Sequence, residues 1–123
     1  MWAGDAASKA LGMILEDMGE GTATISMTVR DDMVNGHGLC HGGLIATLAD
    51  SAFAVACNSR GVSTVASGFD VNLLAPVRLG DLLVAHARER TLRGRTGVYD
   101  VTVMRDEEVV AEFRGRSRAL KDS

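Results

Sequence analysis

The sequence predicts an α+β fold in which a curved antiparallel sheet wraps a single buried helix. Residues Thr22 to Val29 alternate between apolar and polar side chains, which is typical of a half-buried strand. Residues Gly42 to Asn58 are rich in alanine and leucine, and apolar side chains occur around the whole circumference of the helix that they would form. Because a helix that is apolar on all sides must be covered, we expect the sheet to curl around it and a second copy to close the remaining side.

Shorter signals place the other elements along the chain. Ala6 to Leu11 is predicted to form a short amphipathic helix that ends at Gly12, and a Gly-rich irregular stretch precedes the long helix. Asn58 and Gly61 carry the signals that end the long helix. Four strands are predicted to follow it, over the ranges Val62 to Leu74, Asp81 to Leu92, Thr96 to Arg105 and Glu108 to Leu120.

The last of these strands is predicted to have one apolar and one charged face. A tight hairpin at Asp106-Glu107 joins it to the strand before. Because successive side chains in a strand point to opposite faces, one face is expected to carry Val109, Ala111 and Phe113. The other face is expected to carry Glu112, Arg114, Arg116 and Arg118.

Length and charge limit the classes of function. The 123 residues suit one domain spanning residues 1–123, and so small a domain leaves much surface that an oligomer could cover. The net charge of −3 excludes nucleic acid as the main partner, because such binding needs a basic face. With no apolar run of about 18 residues and no signal segment, a cytoplasmic chain without a membrane span is expected. Cys40 and Cys57 are then expected to be free thiols.

Asp50 is the residue of the long helix that most needs an explanation. An unpaired carboxylate costs several kcal/mol when it is buried, so an apolar helix that contains one either pairs it or uses it. Pairing with an arginine or with backbone amides is the structural explanation, and catalysis is the functional one. The residues alone leave both explanations open.

The second candidate feature is the run from Asn35 to Gly43, which leads directly into this helix. Its glycines let a ligand approach the backbone closely, and the first amides of a helix lie unpaired at the positive end of the helix dipole. Amides in that position can polarise a carbonyl and hold a developing oxyanion. A plain Gly-rich turn is the alternative interpretation.

The spacing of Gly42 and Asp50 indicates a site shared between two chains. They are eight residues apart, which is about 12 Å along a helix axis. A carboxylate that activates attack on a carbonyl must lie much closer than that to the oxyanion donor. Two antiparallel copies of the helix would bring Gly42 of one subunit beside Asp50 of the other. We therefore expect a twofold homodimer with two equivalent sites.

Two other kinds of site are conceivable in the same loop, at His37, Cys40 and His41. A zinc site is disfavoured because this set lacks a fourth ligand. A Cys40 nucleophile activated by His41 is disfavoured because adjacent residues rarely face each other and no third residue is evident to orient them. His86 is interpreted as a packed or partly exposed strand residue. No metal or other cofactor is therefore predicted.

The chain resembles the phenylacetate-degradation (PaaI-type) branch of the hotdog thioesterases. Two motifs carry the resemblance, Asn35-Gly36-His37-Gly38-Leu39-Cys40-His41-Gly42-Gly43 and Leu48-Ala49-Asp50-Ser51-Ala52-Phe53-Ala54. Weaker support comes from Ala75-Pro76, Gly80-Asp81, Gly97-Val98-Tyr99-Asp100 and Phe113-Arg114-Gly115. The resemblance implies a hotdog fold, which is a long central helix wrapped by a curved antiparallel sheet, and dimers that pair into tetramers. It also implies hydrolysis of aryl- or arylacetyl-CoA thioesters.

The resemblance further implies roles for four residues. Asp50 matches the catalytic carboxylate, which acts as general base or nucleophile. Gly42 matches the residue whose backbone N–H polarises the thioester carbonyl. Asn35 is implied to position that carbonyl or the attacking water, and His41 is implied to shape the site.

Contacts with the substrate are predicted at Gly43, Ser51, Ser67, Arg78 and Arg95. Ser67 adjoins Ala66, which stands where some relatives carry a water-holding serine, but adjacent strand residues face opposite ways. The two arginines are candidates for binding the CoA phosphates, together with Arg93, Arg114 and Arg116. An ordinary solvated charge is the alternative for each arginine.

Two other functions are compatible with such a chain. A hotdog dehydratase or hydratase would favour a different arrangement of His with Glu or Asp, and the helix has no such motif. A non-catalytic acyl-CoA-binding module would normally carry an attached regulatory segment and would have no need of Asp50. Release of free thiol from acyl-CoA distinguishes the three, and the sequence does not define the acyl group.

Overall fold

The computed structural model describes residues 1–121, which form two α-helices and six β-strands. The elements in chain order are α1 (Ala6–Ala10), β1 (Ile14–Gly19), β2 (Thr22–Thr28), α2 (Gly42–Cys57), β3 (Thr64–Leu73), β4 (Leu82–Arg93), β5 (Thr96–Arg105) and β6 (Glu108–Ala119). Short 3-10 turns lie at Trp2–Gly4 and Asp31–Met33. None of the helices within residues 1–121 has the length and apolar character needed to cross a membrane.

All six strands form one antiparallel sheet in the order β1-β2-β4-β5-β6-β3. The sheet curves around α2, which contacts every strand in it. The predicted α+β architecture, one long helix wrapped by a curved antiparallel sheet, is therefore confirmed. The predicted bounds of the long helix and of the strands on either side of it agree with the structure to within two residues.

The core lies between the concave face of the sheet and one side of α2. Phe53 of α2 is fully buried, and its ring packs against those of Tyr99 and Phe113 with centroids 5.5 and 5.8 Å away. A Cβ at Gly115 of β6 would come within 2.8 Å of three Phe53 ring carbons, so this glycine lets the helix approach the sheet closely. The predicted inner face of the first long strand is buried as well, at Ala23, Ile25, Met27 and Val29.

Two features of the strands differ from the prediction. Strand β1 was not predicted, because it lies at the sheet edge and its mostly exposed side chains show no alternation. The predicted inner face of β6 is wrong at Val109, which is 38% exposed, whereas Val110 is fully buried. A bulge causes this, since Val103 pairs with Ala111 but Met104 pairs with Val109. Val110 is the extra residue and turns inward.

One side of α2 is left open by the sheet. Gly43 is exposed, and Thr47, Asp50 and Ala54, which follow at intervals of three or four residues, are only partly covered. Within one chain the sheet therefore covers only part of the helix, and the expectation that a second copy closes the remaining side stays a prediction. The remaining cover must come from elsewhere if these positions are to be buried.

Strand β3 runs beside the open side of α2 in the opposite direction. Asn58, just after α2, exchanges hydrogen bonds of 2.9 and 3.0 Å with Thr64 at the start of β3. Leu73, at the far end of β3, lies against Gly42. Phe69 and Leu73 face inward with the buried side chains of β6, yet they are 43% and 51% exposed. We call this uncovered surface, formed by the open side of α2 and these two β3 residues, the open strip.

Candidate active site

The loop before α2 is fixed largely by hydrogen bonds within its own backbone and by Asn35. The Asn35 Oδ1 accepts hydrogen bonds from the N–H groups of His37 at 2.9 Å and Leu39 at 3.1 Å. The Cys40 N–H donates to the Val77 carbonyl at 2.7 Å, which ties the loop to the segment before β4. The Nδ2 group of Asn35 has no acceptor within residues 1–121, so it is available to a substrate.

The first two amides of α2 are unpaired. His41 is the N-cap residue, its side chain is exposed, and its own N–H donates to the Met33 carbonyl at 2.9 Å. The N–H groups of Gly42 and Gly43 have no acceptor among residues 1–121, as expected for the first positions of a helix. A Cβ at Gly42 would overlap the Cδ1 atom of Leu73, so the glycine keeps the helix start close to β3. The two amides lie at the positive end of the helix dipole, where an oxyanion is favoured.

Asp50 lies about two turns further along α2, on the open strip. Its side chain is half-buried and forms no hydrogen bond or ion pair with any residue from 1 to 121. Burial raises the pKa of Asp50 above its ordinary value, and the negative charge of Asp5 raises this pKa further. The structural explanation of Asp50, pairing with an arginine or with backbone amides, is therefore not realised within the described chain.

A groove of about 380 Å³ opens between α2 and β3 beside Asp50. Its walls are formed by Phe53, Ala54 and Cys57 of α2, by Thr64, Val65 and Ala66 of β3, and by Met1 and Leu120. Of these wall residues, only Ala66 was singled out from the sequence for the site, as the position where some relatives carry a water-holding serine. Most are ordinary apolar side chains, whose pattern indicates burial but not which space they enclose. The groove places an apolar surface next to an unpaired carboxylate.

A smaller cavity of about 110 Å³ lies next to the groove. Cys57 and Thr64 line both spaces and therefore form the partition between them. Leu92 and Tyr99 contribute apolar surface to the cavity, and Ser117 contributes a hydroxyl. Ser117 Oγ is buried without a hydrogen-bond partner among residues 1–121. Because an unpaired buried hydroxyl is unfavourable, the cavity suits a molecule that brings a hydrogen-bonding group, water included.

The two serines predicted to contact substrate are engaged within the chain. Ser51 is buried, and its Oγ lies 2.6 Å from the Oγ of Ser8 in α1. Ser67 lies at the bulge of β3, and its hydroxyl donates to the Arg116 carbonyl at 3.1 Å. Ala66, next to it, lines the groove beside Asp50. Position 66 therefore faces the carboxylate, and position 67 does not.

The two arginines predicted to bind CoA lie at opposite ends of α2. The backbone of Arg78 forms an isolated antiparallel β-bridge with Leu39 of the loop before the helix. Arg95 lies beyond the other end, where it lines the small cavity together with Cys57 and donates from Nε to the Ala119 carbonyl at 3.1 Å. Since α2 has 16 residues, about 24 Å of helix separates the two ends. One chain alone does not bring both arginines to one site.

The other candidate arginines lie elsewhere on the surface. Arg114 pairs with Asp100 at 2.7 Å, and Arg116 pairs with Asp70 at 2.9 Å. Both arginines alternate along β6 with buried residues, so they lie on the outer face of the sheet, away from Asp50. Arg93 is exposed at the end of β4. The prediction that Arg114 and Arg116 line the mouth of the CoA channel therefore has no support within one chain.

Cys40 and Cys57 are free and buried thiols, as predicted. Burial raises the pKa of Cys40, with a smaller contribution from the charge of Asp81, and burial raises the pKa of Cys57 to about 11. Such thiols are poor nucleophiles at neutral pH, which agrees with the choice of Asp50 over Cys40. His86 is exposed, with Nδ1 3.4 Å from the hydroxyl of Thr24. Residues 1–121 contain no group of three or more His, Cys, Asp or Glu side chains placed to hold a metal ion.

Known proteins share both the sequence and the fold of this chain. Residues 37–112 match the model of the thioesterase superfamily. The acyl-coenzyme A thioesterase PaaI of Escherichia coli K12 is 46% identical over 121 residues, which cover 98% of this chain and 86% of that protein. The solved structure of E. coli PaaI, from the phenylacetic acid degradation operon, has a TM-score of 0.96 and 45% identity, covering 98% of this chain and 88% of that one. The Streptococcus mutans UA159 protein smu.793, solved bound to acetyl-CoA, has a TM-score of 0.84 and 28% identity over 88% of both chains.

The match to the family model includes the parts of the chain that form the candidate site. It begins in the loop before α2, contains Gly42 and Asp50, and ends within β6. The match to PaaI extends over nearly the whole chain, and the solved PaaI structure has the same architecture as this chain. The chain therefore belongs to the thioesterase superfamily, as a hotdog-fold acyl-CoA thioesterase of the PaaI type.

Proposed function

We propose that this thioesterase hydrolyses aryl- or arylacetyl-CoA thioesters to the free acid and CoA, with Asp50 as general base or nucleophile. The observation that carries the proposal is the Asp50 carboxylate, which is half-buried, unpaired within residues 1–121 and adjacent to an apolar groove. A raised pKa brings this carboxylate closer to neutral pH, where a general base is most effective. The origin of E. coli PaaI in a phenylacetic acid degradation operon supports an aromatic acyl group.

The chemistry of the reaction needs one group that delivers oxygen to the carbonyl carbon. In the general-base route, Asp50 takes a proton from water while the water oxygen attacks, and the C–S bond of the resulting tetrahedral oxyanion then breaks. The proton passes to the departing CoA sulfur. In the nucleophilic route, the Asp50 oxygen attacks the carbonyl carbon directly, and the C–S bond breaks as CoA leaves as a thiolate. Water then hydrolyses the anhydride that has formed, and the proton released goes to the CoA thiolate. Both routes consume one water and give one carboxylic acid and one thiol.

The oxyanion is proposed to bind the Gly42 N–H, with the Gly43 N–H beside it. Both amides are unpaired at the start of the 16-residue helix α2, where the helix dipole favours negative charge. A donor of this kind contributes about 2.7–4 kcal/mol to stabilising the transition state. Asn35 is proposed to position the carbonyl or the water through Nδ2, and the exposed His41 is proposed to shape the entrance.

Each site is proposed to combine Gly42 of one subunit with Asp50 of the other. The eight residues between them correspond to about 12 Å within one helix, which is too far for one carbonyl to reach both. The open strip supports this proposal, because a second copy packed antiparallel would cover its apolar surface. Within residues 1–121, β3 pairs with β6 alone, and an exposed apolar edge strand favours pairing with another chain. We expect a homodimer, with dimers that pair into a homotetramer, in the cytoplasm.

The shared site also gives the two CoA-binding arginines a common location. In an antiparallel dimer, Arg78 of the subunit that supplies Gly42 lies near the end of α2 of the other subunit. Arg95 of the subunit that supplies Asp50 lies near that same end. The CoA phosphates are therefore proposed to bind both. Ser51 and Ser67 remain predicted contacts, although each hydroxyl would first have to exchange its partner within the chain.

Release of free thiol from a panel of acyl-CoAs tests the proposal, with phenylacetyl-CoA expected among the best substrates. Asp50→Asn should lower turnover by about 100-fold or more, because the base or nucleophile is lost. Since the pKa of Asp50 is raised in the folded chain, ionising Asp50 destabilises the fold above that pKa. Asp50→Asn should therefore melt no lower than the wild type at neutral pH.

Asp106→Asn is the matched control for the change of charge. Asp106 is an exposed residue of the β5–β6 turn with φ 53°, a conformation that asparagine also tolerates, so this variant should be fully active. Near-normal turnover of Asp50→Asn would rule out Asp50 as the general base or nucleophile. A wild-type chain that binds acyl-CoA and releases no thiol would favour a non-catalytic acyl-CoA-binding module, or a dehydratase or hydratase.

A further inference from the structure

The N-terminal segment, residues 1–10, packs beside the candidate site but lies outside the region that matches the family model. It consists of the 3-10 turn Trp2–Gly4 and helix α1, and Lys9 joins the two by donating to the Ala3 carbonyl at 2.8 Å. Helix α1 contacts α2, and Met1 lines the groove next to Asp50. The segment thus contributes to the candidate site from outside the residues that match the family model.

A hydrogen-bonded relay joins this segment to the turn of α2 that carries Asp50. Asp5 caps α1 by accepting the Ser8 N–H at 3.0 Å, and it accepts the Ser8 hydroxyl at 2.7 Å. The Ser8 Oγ lies 2.6 Å from the Oγ of Ser51, which follows Asp50 in the chain. Because the single hydroxyl proton of Ser8 goes to Asp5, Ser51 must be the donor in the second bond.

The relay is buried at both hydroxyls, since Ser8 is 2% and Ser51 is 6% exposed. Buried hydrogen bonds that end on a charged group are stronger than average and fix the geometry of the groups that they join. The relay therefore holds the negative charge of Asp5 at a fixed place against α2. Loss of the Ser8 hydroxyl would leave the Ser51 hydroxyl without its acceptor in the interior, and loss of the Ser51 hydroxyl would break the link to α2.

We propose that the N-terminal segment is a positioning element of the active site. Asp5 is held on α2 through Ser8 and Ser51, and it thereby keeps a fixed negative charge beside Asp50. The same anchoring keeps Met1 against the groove. The inference rests on the proposed catalytic role of Asp50. Asp5 itself does not contact the substrate, because its two carboxylate oxygens are engaged by Ser8. Its effect on the reaction passes through the protonation of Asp50.

The ionisable groups that face Asp50 come from two elements. The N-terminal segment contributes Asp5, and α2 itself contributes the Cys57 thiol. The groove residues contributed by the start of β3 and the turn before it, 63–66, carry no charge. A negative charge at Asp5 disfavours ionised Asp50, so removing it should lower the pKa of Asp50. Activity that needs ionised Asp50 would then persist to lower pH.

Asp5→Asn isolates the charge from the hydrogen bonds. Asparagine is as good an N-cap as aspartate, and its Nδ2 can donate to Ser8 while Ser8 donates to Ser51, which reverses the polarity of the relay. We expect the acid limb of the pH profile of kcat/KM to move to lower pH. Titration of the Asp50 carboxyl by carbon-13 NMR should move in the same direction, and Tm should change little. Should Asp5→Asn be poorly folded, Asp5→Ser keeps a capping oxygen and removes the same charge.

Three further variants distinguish positioning from simple stabilisation. Ser51→Ala breaks the relay and should lower Tm and shift the acid limb in the same direction, whereas Ser51→Thr keeps a hydroxyl and should restore both. Asp106→Asn removes an equal charge at the distant β5–β6 turn and should leave the acid limb in place. An unchanged acid limb and an unchanged Asp50 titration in Asp5→Asn would overturn the inference. The segment would then only stabilise the fold. The NMR titration needs no turnover, so it decides this question even if acyl-CoA hydrolysis itself is not observed.

Discussion

The two sides of helix α2 are built for different tasks. On the side that faces the sheet, Leu48, Ala52 and Phe53 are fully buried by strands of the same chain. On the open strip, Gly43 is exposed and Asp50 is half-buried, with no partner in residues 1–121. The large apolar side chains of α2 thus lie where the chain can cover them. The catalytic candidates lie where it cannot.

This difference separates stability from chemistry within a single helix. Side chains on the sheet side are fixed by packing, so changes there should act on the free energy of unfolding. The α2 side chains on the open strip are small or polar, which leaves room for a substrate and for a second helix. Changes there should act on turnover and on assembly.

The largest expected effect on stability is at Phe53. Phe53→Ala should lower the free energy of unfolding by about 3–5 kcal/mol, because it removes a fully buried ring and leaves a cavity over Gly115. Thr47→Ala, on the opposite side of the same helix, should change it by less than about 0.5 kcal/mol. Urea denaturation at one fixed protein concentration compares the two. Equal costs would remove the distinction between the two sides.

The largest expected effect on catalysis without loss of fold is at Gly42. Gly42→Pro removes the proposed oxyanion donor and should lower kcat by about 100- to 1,000-fold. The backbone at this position suits proline, because it is the first residue of the helix and the preceding His41 has φ −58° and ψ 131°, although the new side chain requires Leu73 to shift. Gly42→Ala is the matched control, since it introduces the same Cβ against Leu73 but keeps the N–H. Similar losses in both variants would indicate that crowding, not the amide, is responsible.

Mixing Asp50→Asn with Gly42→Pro tests whether the open strip is completed by a second copy. After subunit exchange, a heterodimer has one site with both defects and one site with neither, so it should regain up to about half of the wild-type activity. A statistical mixture, of which about half is heterodimer, should regain about a quarter. Native mass spectrometry establishes that heterodimers are present. If they form and remain inactive, both groups must act within one chain.

The local patterns of the sequence were sufficient for the fold because most elements are continuous and periodic. The alternation from Thr22 and the alanine-rich stretch from Gly42 each determine one element without reference to the rest of the chain. The burial of Val110 in place of Val109 could not be predicted, because a bulge is a property of two paired strands. Asp50 was identifiable because a carboxylate in an apolar helix is costly wherever it lies.

The surroundings of the candidate site could not be predicted from local sequence patterns. An apolar helix has the same appearance whether its own sheet or a second copy covers it, so a side left for a second copy was expected but the residues that form it could not be predicted. The hydrogen bond between Ser8 and Ser51 joins residues 43 positions apart, and Asp5 with Ser8 indicates no more than a helix cap. The groove likewise joins Met1 and Leu120, which are distant in the chain, beside Asp50.

The smallest of the predicted effects concerns the limit on acyl size. Cys57 and Thr64 separate the 380 Å³ groove beside Asp50 from the 110 Å³ cavity. Cys57→Ala removes the sulfur from this partition and should let a longer acyl group extend into the smaller space. One methylene in an apolar pocket changes specificity by about 10- to 200-fold, and we expect the lower end because Thr64 remains. The ratio of kcat/KM for phenylbutyryl-CoA to that for phenylacetyl-CoA should therefore rise by about tenfold.

Two variants determine whether that gain comes from the joined spaces. Cys40→Ala removes the other buried thiol, which lines neither space, and should leave the order of substrates unchanged. Adding Ala119→Leu to Cys57→Ala fills the small cavity with a larger side chain from its own lining and should return the preference to phenylacetyl-CoA. If Cys57→Ala instead lowers kcat/KM for every acyl group equally, Cys57 supports the helix but does not limit the acyl group. The end of the acyl site would then have to be formed by the second subunit, on the side that the open strip leaves uncovered.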